Sequence, residues 1–424
     1  MTGGGDSAGH VVIVAYLFEP NEMIAVRRPS AIRRALVTAG VRTTVITSQI
    51  SGPAADSVTR ERVVRTADLR TRFKTQYQAL VGYREMPIEA RAAPRPWTRL
   101  IVPDVTALSW MPTAMAALAH ILVTDRPDAI ITTSPPESVH LLGLAAHTAR
   151  VRWIADFRDG WMFDTPNPRP SFRRLDRALE RMVATRADAV TTINEQIAED
   201  FRQRLGVDAL CVPNGFDRAE FELASDEHLL VDPRRFSLVY TGTLGIDMVQ
   251  GGLGTRGEDV RAFLEAIELI LRRNPELTAQ IELVVAGVVT EAEEAVLTRG
   301  ALSDIVRVVG RLPHRRAIGL QRAADALVLA SGGAGYTTGK VYEYLAAERP
   351  IFALAERPSA VANLLDGSNG HTVVPSSDVD ALAGELEAFI DRWTATEYEP
   401  SSEIAAEHTT DRMGARMLEI VRAT

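Results

Sequence analysis

The chain has one cysteine, Cys211, in 424 residues. A single thiol excludes an intramolecular disulfide framework and any zinc site built on cysteine pairs, and it fits a reducing compartment. A basic excess is also missing: 47 Lys and Arg stand against 55 Asp and Glu, a net charge of −8. That balance excludes a general nucleic-acid binder, whose affinity comes from phosphate contacts. No apolar run reaches the roughly 20 residues that a membrane-crossing helix needs. Residues Met1–Asp6 lack the basic-then-apolar order of a secretion signal and read as a flexible tail. The expectation is a cytoplasmic protein without a membrane span, still free to rest on the inner face of a membrane.

With 46% hydrophobic and 24% charged residues the composition is that of a globular protein, and the length favours more than one core. Short β-branched runs alternate with stretches of helical period, the signature of parallel sheets covered by helices on both faces. The first series of expected strands is His10–Tyr16, Val41–Thr47, Asp128–Thr133, Val151–Asp156, Ala187–Thr192 and Leu210–Pro213. The pattern fades between Gly52 and Trp110. A second series comprises Phe236–Tyr240, Ile281–Ala286, Val306–Val309, Ala326–Ala330, Pro350–Ala355 and His371–Val374. Helices are expected from about Pro29 to Gly40, over Asp259–Arg272, Pro313–Ala323 and Lys340–Ala347, and over Ser401–Ala423. Val212-Pro213-Asn214-Gly215-Phe216-Asp217 and the acidic stretch to Arg235 read as the connection between two domains. The expected domains are 1–215 and 236–396, with 397–424 as a terminal helix packing back on the first.

Two stretches carry chemistry. Ser331-Gly332-Gly333-Ala334-Gly335-Tyr336-Thr337-Thr338-Gly339-Lys340 joins a strand to a helix through glycines, with free N–H groups and a lysine where phosphate would sit. Glu343 follows one turn later, where a carboxylate can accept both hydroxyls of a ribose. Tight packing with a surface lysine explains the same residues, and neither a Walker A loop nor G-x-G-x-x-G is present. The second stretch, Asp156-Phe157-Arg158-Asp159-Gly160-Trp161, ends a strand in two carboxylates and a guanidinium. These serve either acid–base work or an ion pair that braces a loop. Thr132-Thr133-Ser134-Pro135-Pro136 offers hydroxyls to a sugar or simply leads into a helix. Tyr240-Thr241-Gly242-Thr243 closes another strand, and Arg256 in the glycine-rich segment beyond is either a diphosphate partner or a solvated arginine.

Four segments in order, Ser134-Pro135-Pro136, Asp156–Trp161, Val212–Asp217 and Gly339–Ala346, resemble retaining glycosyltransferases of the GT-B fold, in the large family 4 group and its D-F-R-D-x-W branch. The resemblance implies two Rossmann-like, doubly wound α/β domains facing across a cleft. It implies transfer of a hexosyl-type sugar from a UDP- or GDP-linked donor to a sugar, lipid-linked or small-molecule hydroxyl with retention, without a metal or cofactor. Gly242, Thr243, Arg256, Thr338, Gly339 and Lys340 then hold the diphosphate and stabilise it as it leaves. Glu343 holds the ribose, and Arg311 and Leu312 line the base pocket through their backbone. Asp156, Arg158 and Asp159 become catalytic or acceptor-side residues beside Ser134. The family's usual Glu-x₇-Glu pair is broken, because Gly335 stands where the first glutamate belongs. Asp378-Val379-Asp380 imitates a metal-binding motif but sits where a helix cap explains it.

Between Arg60 and Arg99 lie Arg62, Arg65, Arg70, Arg72, Lys74, Arg84, Arg91 and Arg95, with Leu69, Phe73, Tyr77, Leu80 and Val81 at helical spacing. A core-facing stripe on a charged helix is the preferred reading; a basic amphipathic helix on anionic lipid, receiving a lipid-linked acceptor, is the other. A sugar-nucleotide epimerase of the same architecture and a non-catalytic two-domain binding protein are the competing functions. A nicotinamide-dependent dehydrogenase is disfavoured, since no dinucleotide glycine fingerprint follows the first strand.

Overall fold

The computed structural model describes residues 9–20, 24–51, 61–69, 103–104, 106–163, 173–246, 252–332, 339–366, 369–399 and 402–424. They form two compact units: the first runs to Asn214 and adds Thr410–Thr424, and the second is Gly215–Thr409.

The first unit is built on seven parallel strands: β1 His10–Ala15, β2 Arg42–Ser48, β3 Glu61–Thr66, β4 Ala129–Ser134, β5 Arg152–Phe157, β6 Ala189–Thr192 and β7 Leu210–Cys211. Their order is β3-β2-β1-β4-β5-β6-β7. Because successive strand residues point to opposite faces, Val12 and Val14 join Trp110, Leu118 and Phe201 on one side. Val11 and Ile13 meet Ile32, Leu36, Met413 and Met417 on the other. The second unit repeats the plan with β8 Phe236–Thr241, β9 Ile281–Ala286, β10 Val306–Val308, β11 Ala326–Ala330, β12 Ile351–Leu354 and β13 Thr372–Val374. The order is β10-β9-β8-β11-β12-β13. Leu238 and Leu283 pack on Phe263 and Leu386, while Val239 and Val284 pack on Leu320 and Tyr344. Each such large apolar side chain, fully buried, contributes roughly 1.5–3 kcal/mol. Both sheets are doubly wound, and strand order reverses between β1 and β4 and between β8 and β11. Ligands of such sheets sit at that reversal, beyond the carboxyl ends of the strands.

Several elements differ from the sequence reading. The first helix begins at Ile24, so Pro29 lies inside it rather than at its start. The stretch where alternation fades contains β3, which carries two residues assigned above to a basic helix. Arg62 instead pairs with Asp125 at 3.2 Å, and Arg65 donates to the Glu19 carbonyl. Residues 70–102, with the remaining basic and apolar positions of that stretch, lie outside the described residues. The helix expected from Asp259 starts at Gly252. The connection to Arg235 holds a helix, Arg218–Glu222, and belongs to the second unit. The terminal helix is two helices, Ser402–Glu407 in the second unit and Thr410–Ala423 in the first. Asp378 caps the Val379–Ala395 helix by accepting from Ala381 N, and Asp380 pairs with Arg273. Among the described residues no helix is long and apolar enough to cross a membrane.

The Thr410–Ala423 helix lies on the Ile24–Thr38 helix at Gly414, where an added Cβ would stand 2.6 Å from Ala35 Cβ and 3.1 Å from the Ala31 carbonyl oxygen. Gly414→Val is expected to destabilise the first unit by about 1–3 kcal/mol through overpacking, with part of the loss recovered by Ala35→Gly. Chemical denaturation of the three variants measures both effects.

Candidate functional site

In the second unit the reversal between β8 and β11 gathers the groups marked in the sequence. β8 ends in Thr241, whose N–H and hydroxyl both meet the buried Tyr344 hydroxyl, at 3.0 and 3.1 Å. The chain then turns through Gly242 at φ +111°, a conformation L side chains rarely adopt. Glu293, buried and part of a capping box with Thr290, accepts from the N–H groups of Gly245 and Ile246 at 2.9 and 3.1 Å and fixes the end of the turn. Across the reversal, the N–H of Gly332 donates to Asp259, which Ser376 holds from its other oxygen. Thr338 and Gly335 lie outside the described residues. Gly339 opens the Gly339–Ala346 helix, and Lys340 reaches back over the β8 turn.

Lys340 Nζ occupies the space a side chain on residue 242 would need, 2.2 Å from an ideal Cβ there, and stands 5.1 Å from the Tyr240 ring centroid. Tyr240 donates to the Thr243 carbonyl, which leaves Thr243 itself exposed. Burial pushes Lys340 down to about 7; the charge of Arg256 adds to the fall and Glu343 opposes it. Arg256 Nε is shut off from solvent with no hydrogen-bond acceptor among the described residues. A helix start, a turn with exposed backbone, a half-neutral lysine and an unsatisfied guanidinium N–H make a place that favours an anion.

Glu343, 6% exposed, lies one turn further along. Its Oε1 is 3.8 Å from His314 Nε2, and the same nitrogen is 2.8 Å from Glu220 Oε2. Neither His314 nor Glu220 stood out in the sequence. Arg311 is exposed just beyond β10, while the partly buried Leu312 packs into the core under the Gly339–Ala346 helix.

The first unit corrects the reading of its strand-end charges. Asp156 is fully buried at the end of β5 and pairs not with Arg158 but with Arg28, which donates from Nε at 2.9 Å and from Nη2 at 2.7 Å. Thr133 and Thr191 donate to the same carboxylate at 2.8 and 2.7 Å. Burial alone would raise this acid, but the Arg28 charge and these four donors hold it below the ordinary range. The pair is therefore intact above about pH 4 and lost only as acid protonates the carboxylate. Arg28 also donates to the Val212 carbonyl and Asn214 Oδ1, so it fastens the end of the unit. A carboxylate so enclosed does not reach a substrate, and Asp156 is a brace rather than a catalytic acid; removing one partner of such a pair costs about 3–5 kcal/mol.

Arg158 is likewise committed. It donates to the carbonyls of Ser134, Pro135 and Ala25. The Ala25 carbonyl is the one that Pro29, lacking an N–H, leaves without its helical donor. Ser134 Oγ is buried. Burial raises Asp159, with Arg158 resisting, and raises Glu137 to about 7 with help from Asp104, Asp159 and Asp176. Glu137, three residues past Ser134 at the end of β4, was missed because no local pattern announces its neighbours.

Residues 25–215 match the glycosyl transferase 4-like domain. No curated protein matches the chain in sequence. Among solved structures, sucrose-phosphate synthase from Thermosynechococcus elongatus is similar over 98% of both chains, with a TM-score of 0.66 at 13% identity. HepE of Anabaena, solved in complex with UDP, is similar over 98% of this chain and 100% of its own, with a TM-score of 0.63 at 14% identity. The chain has the GT-B fold. A putative UDP-N-acetylglucosamine 2-epimerase from Listeria monocytogenes is also similar, over 98% of this chain and 96% of its own, with a TM-score of 0.54 at 13% identity. GT-B architecture alone therefore does not separate transfer from epimerisation. The matched domain, which holds Arg28, Ser134, Glu137 and Asp156–Asp159, supports a glycosyltransferase.

The Gly242 contact gives a direct test of the anion-favouring turn. Gly242→Ala must push Lys340 aside and strain the turn, and it is expected to weaken binding of inorganic pyrophosphate at least tenfold while leaving the fold intact. Calorimetric titration beside circular dichroism checks both parts.

Proposed function

We propose that the protein transfers a sugar from a UDP- or GDP-linked donor to a hydroxyl acceptor, with retention of configuration and without a metal. One observation carries the reading: Lys340 and the unsatisfied Arg256 Nε converge on the Gly242 turn, at the strand reversal where GT-B ligands bind. Breaking the bond from the anomeric carbon to the diphosphate spreads positive charge on the sugar and negative charge on the leaving group. The two cations and the Gly339 helix start stabilise that leaving charge. Glu343 takes the ribose hydroxyls, and the backbone of Arg311 and Leu312 faces the base. That HepE, similar in fold, is solved in complex with UDP supports a nucleotide-linked donor.

The acceptor is assigned to the first unit, beside Ser134, Glu137 and Asp159. With its acid raised to about 7, Glu137 is suited to take the acceptor proton at neutral pH. Asp156 and Arg158 position the strand ends on which that group stands. Action in the cytoplasm belongs to the same proposal; peripheral contact with the inner face of a membrane is its secondary reading, and Arg62 and Arg65 of β3 take no part in it, being engaged by Asp125 and the Glu19 carbonyl.

Thermal unfolding with UDP, GDP, ADP and TDP tests the donor half. A nucleotide at a hundred times its dissociation constant adds about 2.7 kcal/mol, a shift of several degrees. One should stabilise the wild type and fail with Glu343→Ala; no shift from any of the four rejects the proposal. The pH dependence is specific to Lys340. Its acid lies near 7 in the free site and rises beside a diphosphate, so affinity is full below pH 7 and falls as pH climbs from 7 to 9. Calorimetry in buffers of different ionisation enthalpy should detect proton uptake at pH 8 that Lys340→Met abolishes.

Once the products are known, turnover gives the test for Glu137. Wild-type kcat should fall as pH drops through about 7, where the carboxylate takes up its proton. Glu137→Gln should cut kcat by about 10²–10⁴ and flatten that limb. A variant that keeps the wild-type profile assigns the proton to another group.

A further inference from the structure

The 47 basic residues of this chain include only two lysines, Lys74 and Lys340; every other one is arginine. A guanidinium keeps its charge at any pH a protein meets, whereas an amine that sheds its proton becomes a nucleophile. Lys340 is placed to shed it. Burial and the charge of Arg256 lower its acid to about 7, against the pull of Glu343. Roughly half of this side chain is then neutral at pH 7, against roughly one in two thousand for an ordinary lysine. The amine is also within reach of solutes: Gly242 and Gly339 are partly exposed and Thr243 is exposed. Beside it, Arg256 Nε is shut off from solvent with no acceptor among the described residues.

We propose that Lys340 is a modification site, acylated by small acyl phosphates that seat their phosphate at the Gly242 turn beside Arg256. The inference rests on the anion-favouring turn and not on sugar transfer. In an acyl phosphate the carbonyl carbon lies one oxygen from phosphorus, so a phosphate held at the turn brings that carbon to the amine. The Nζ lone pair attacks it and an N–C bond forms. The C–O bond to phosphate breaks, and the proton shed by nitrogen leaves on the phosphate as hydrogen phosphate. The product is an uncharged amide in the space where the ammonium lay against Gly242. One of the two cations at the turn is lost, so the acylated protein binds anions poorly there. Acyl phosphate thus switches the turn off without a second protein.

The experiment incubates the protein with acetyl phosphate and follows acetylation of Lys340, Lys74 and the N-terminus by peptide mass spectrometry. Lys340 should outpace Lys74 at least tenfold in the folded protein and by little in urea, where both amines are ordinary. Its rate should saturate with acetyl phosphate, fall when pyrophosphate is added, and drop severalfold in Arg256→Gln. A bound acyl phosphate lifts the acid of Lys340 as a diphosphate does. The rate should therefore climb from pH 7 to 9 and level off, below the value of about 10.4 of an ordinary lysine. N-acetylimidazole, which has no phosphate, should show neither saturation nor competition. Calorimetry should find pyrophosphate affinity at least tenfold lower after acetylation. A Lys340 rate that pyrophosphate leaves unchanged, or one no faster relative to Lys74 in the folded protein than in urea, overturns the proposal. If untreated protein still binds pyrophosphate in that case, the anion site stands and only acylation is rejected; if it binds none, both fall.

Discussion

A lysine ammonium laid against a glycine, under an aromatic ring and beside an arginine, is the arrangement on which the anion-favouring turn of the second unit depends. Burial and the neighbouring guanidinium both work against its charge, and Glu343 offsets only part of that. Much of the surrounding structure exists to hold the contact. Tyr344 ties the end of β8, Glu293 ties the turn, and Asp259 ties the start of the loop beyond β11. Gly257 lets the Gly252–Arg273 helix come within 2.0 Å, measured from an ideal Cβ, of the Gly245 carbonyl oxygen, which sets Arg256 beside the same turn. Electrostatic tension at Lys340 is thus matched by rigid anchoring of the backbone around it, the pattern expected of a preorganised anion site.

The two units use buried charge differently. In the first, Arg28 and Asp156 neutralise each other completely, with two threonines filling the remaining acceptor positions. Such a pair fixes geometry and takes no part in chemistry. Beside it, Glu137 and Asp159 are acids made less acidic by their surroundings, and Asp104 is engaged by the Ser138 N–H and hydroxyl. Braced charges therefore stand beside weakened acids, and a motif of two acids and an arginine does not by its residue types say which is which.

Much of the fold was legible in the sequence because strand–helix alternation is a local signal. Both β-strand series lie close to where the apolar runs put them, and Lys340 and Glu343 fall on a helix start after a strand. The errors share a cause. β3 was hidden because half of its Glu-Arg-Val-Val-Arg-Thr is charged and, among the described residues, it is an edge strand paired with β2 alone. Pro29 marked a helix start by rule, yet the helix continues upstream because Arg158 takes over the Ala25 carbonyl. Arg28 and Asp156 are 128 residues apart, His314 and Glu220 nearly a hundred, and no spacing rule connects them. Long-range pairing decided each of these.

The close crossing at Gly414 has a consequence for how the chain is made. One face of the first sheet is covered by the Ile24–Thr38 helix together with Met413, Met417, Ile420 and Val421, which come after the whole of the second unit. A growing chain that has reached Asn214 holds every strand of that sheet but not the helix that closes it. The first unit must therefore wait on the ribosome with an apolar stripe uncovered while the second is synthesised. Cutting the chain at Asn214 would reproduce that unfinished state permanently, so the first unit is a domain in space but not a fragment that can be excised.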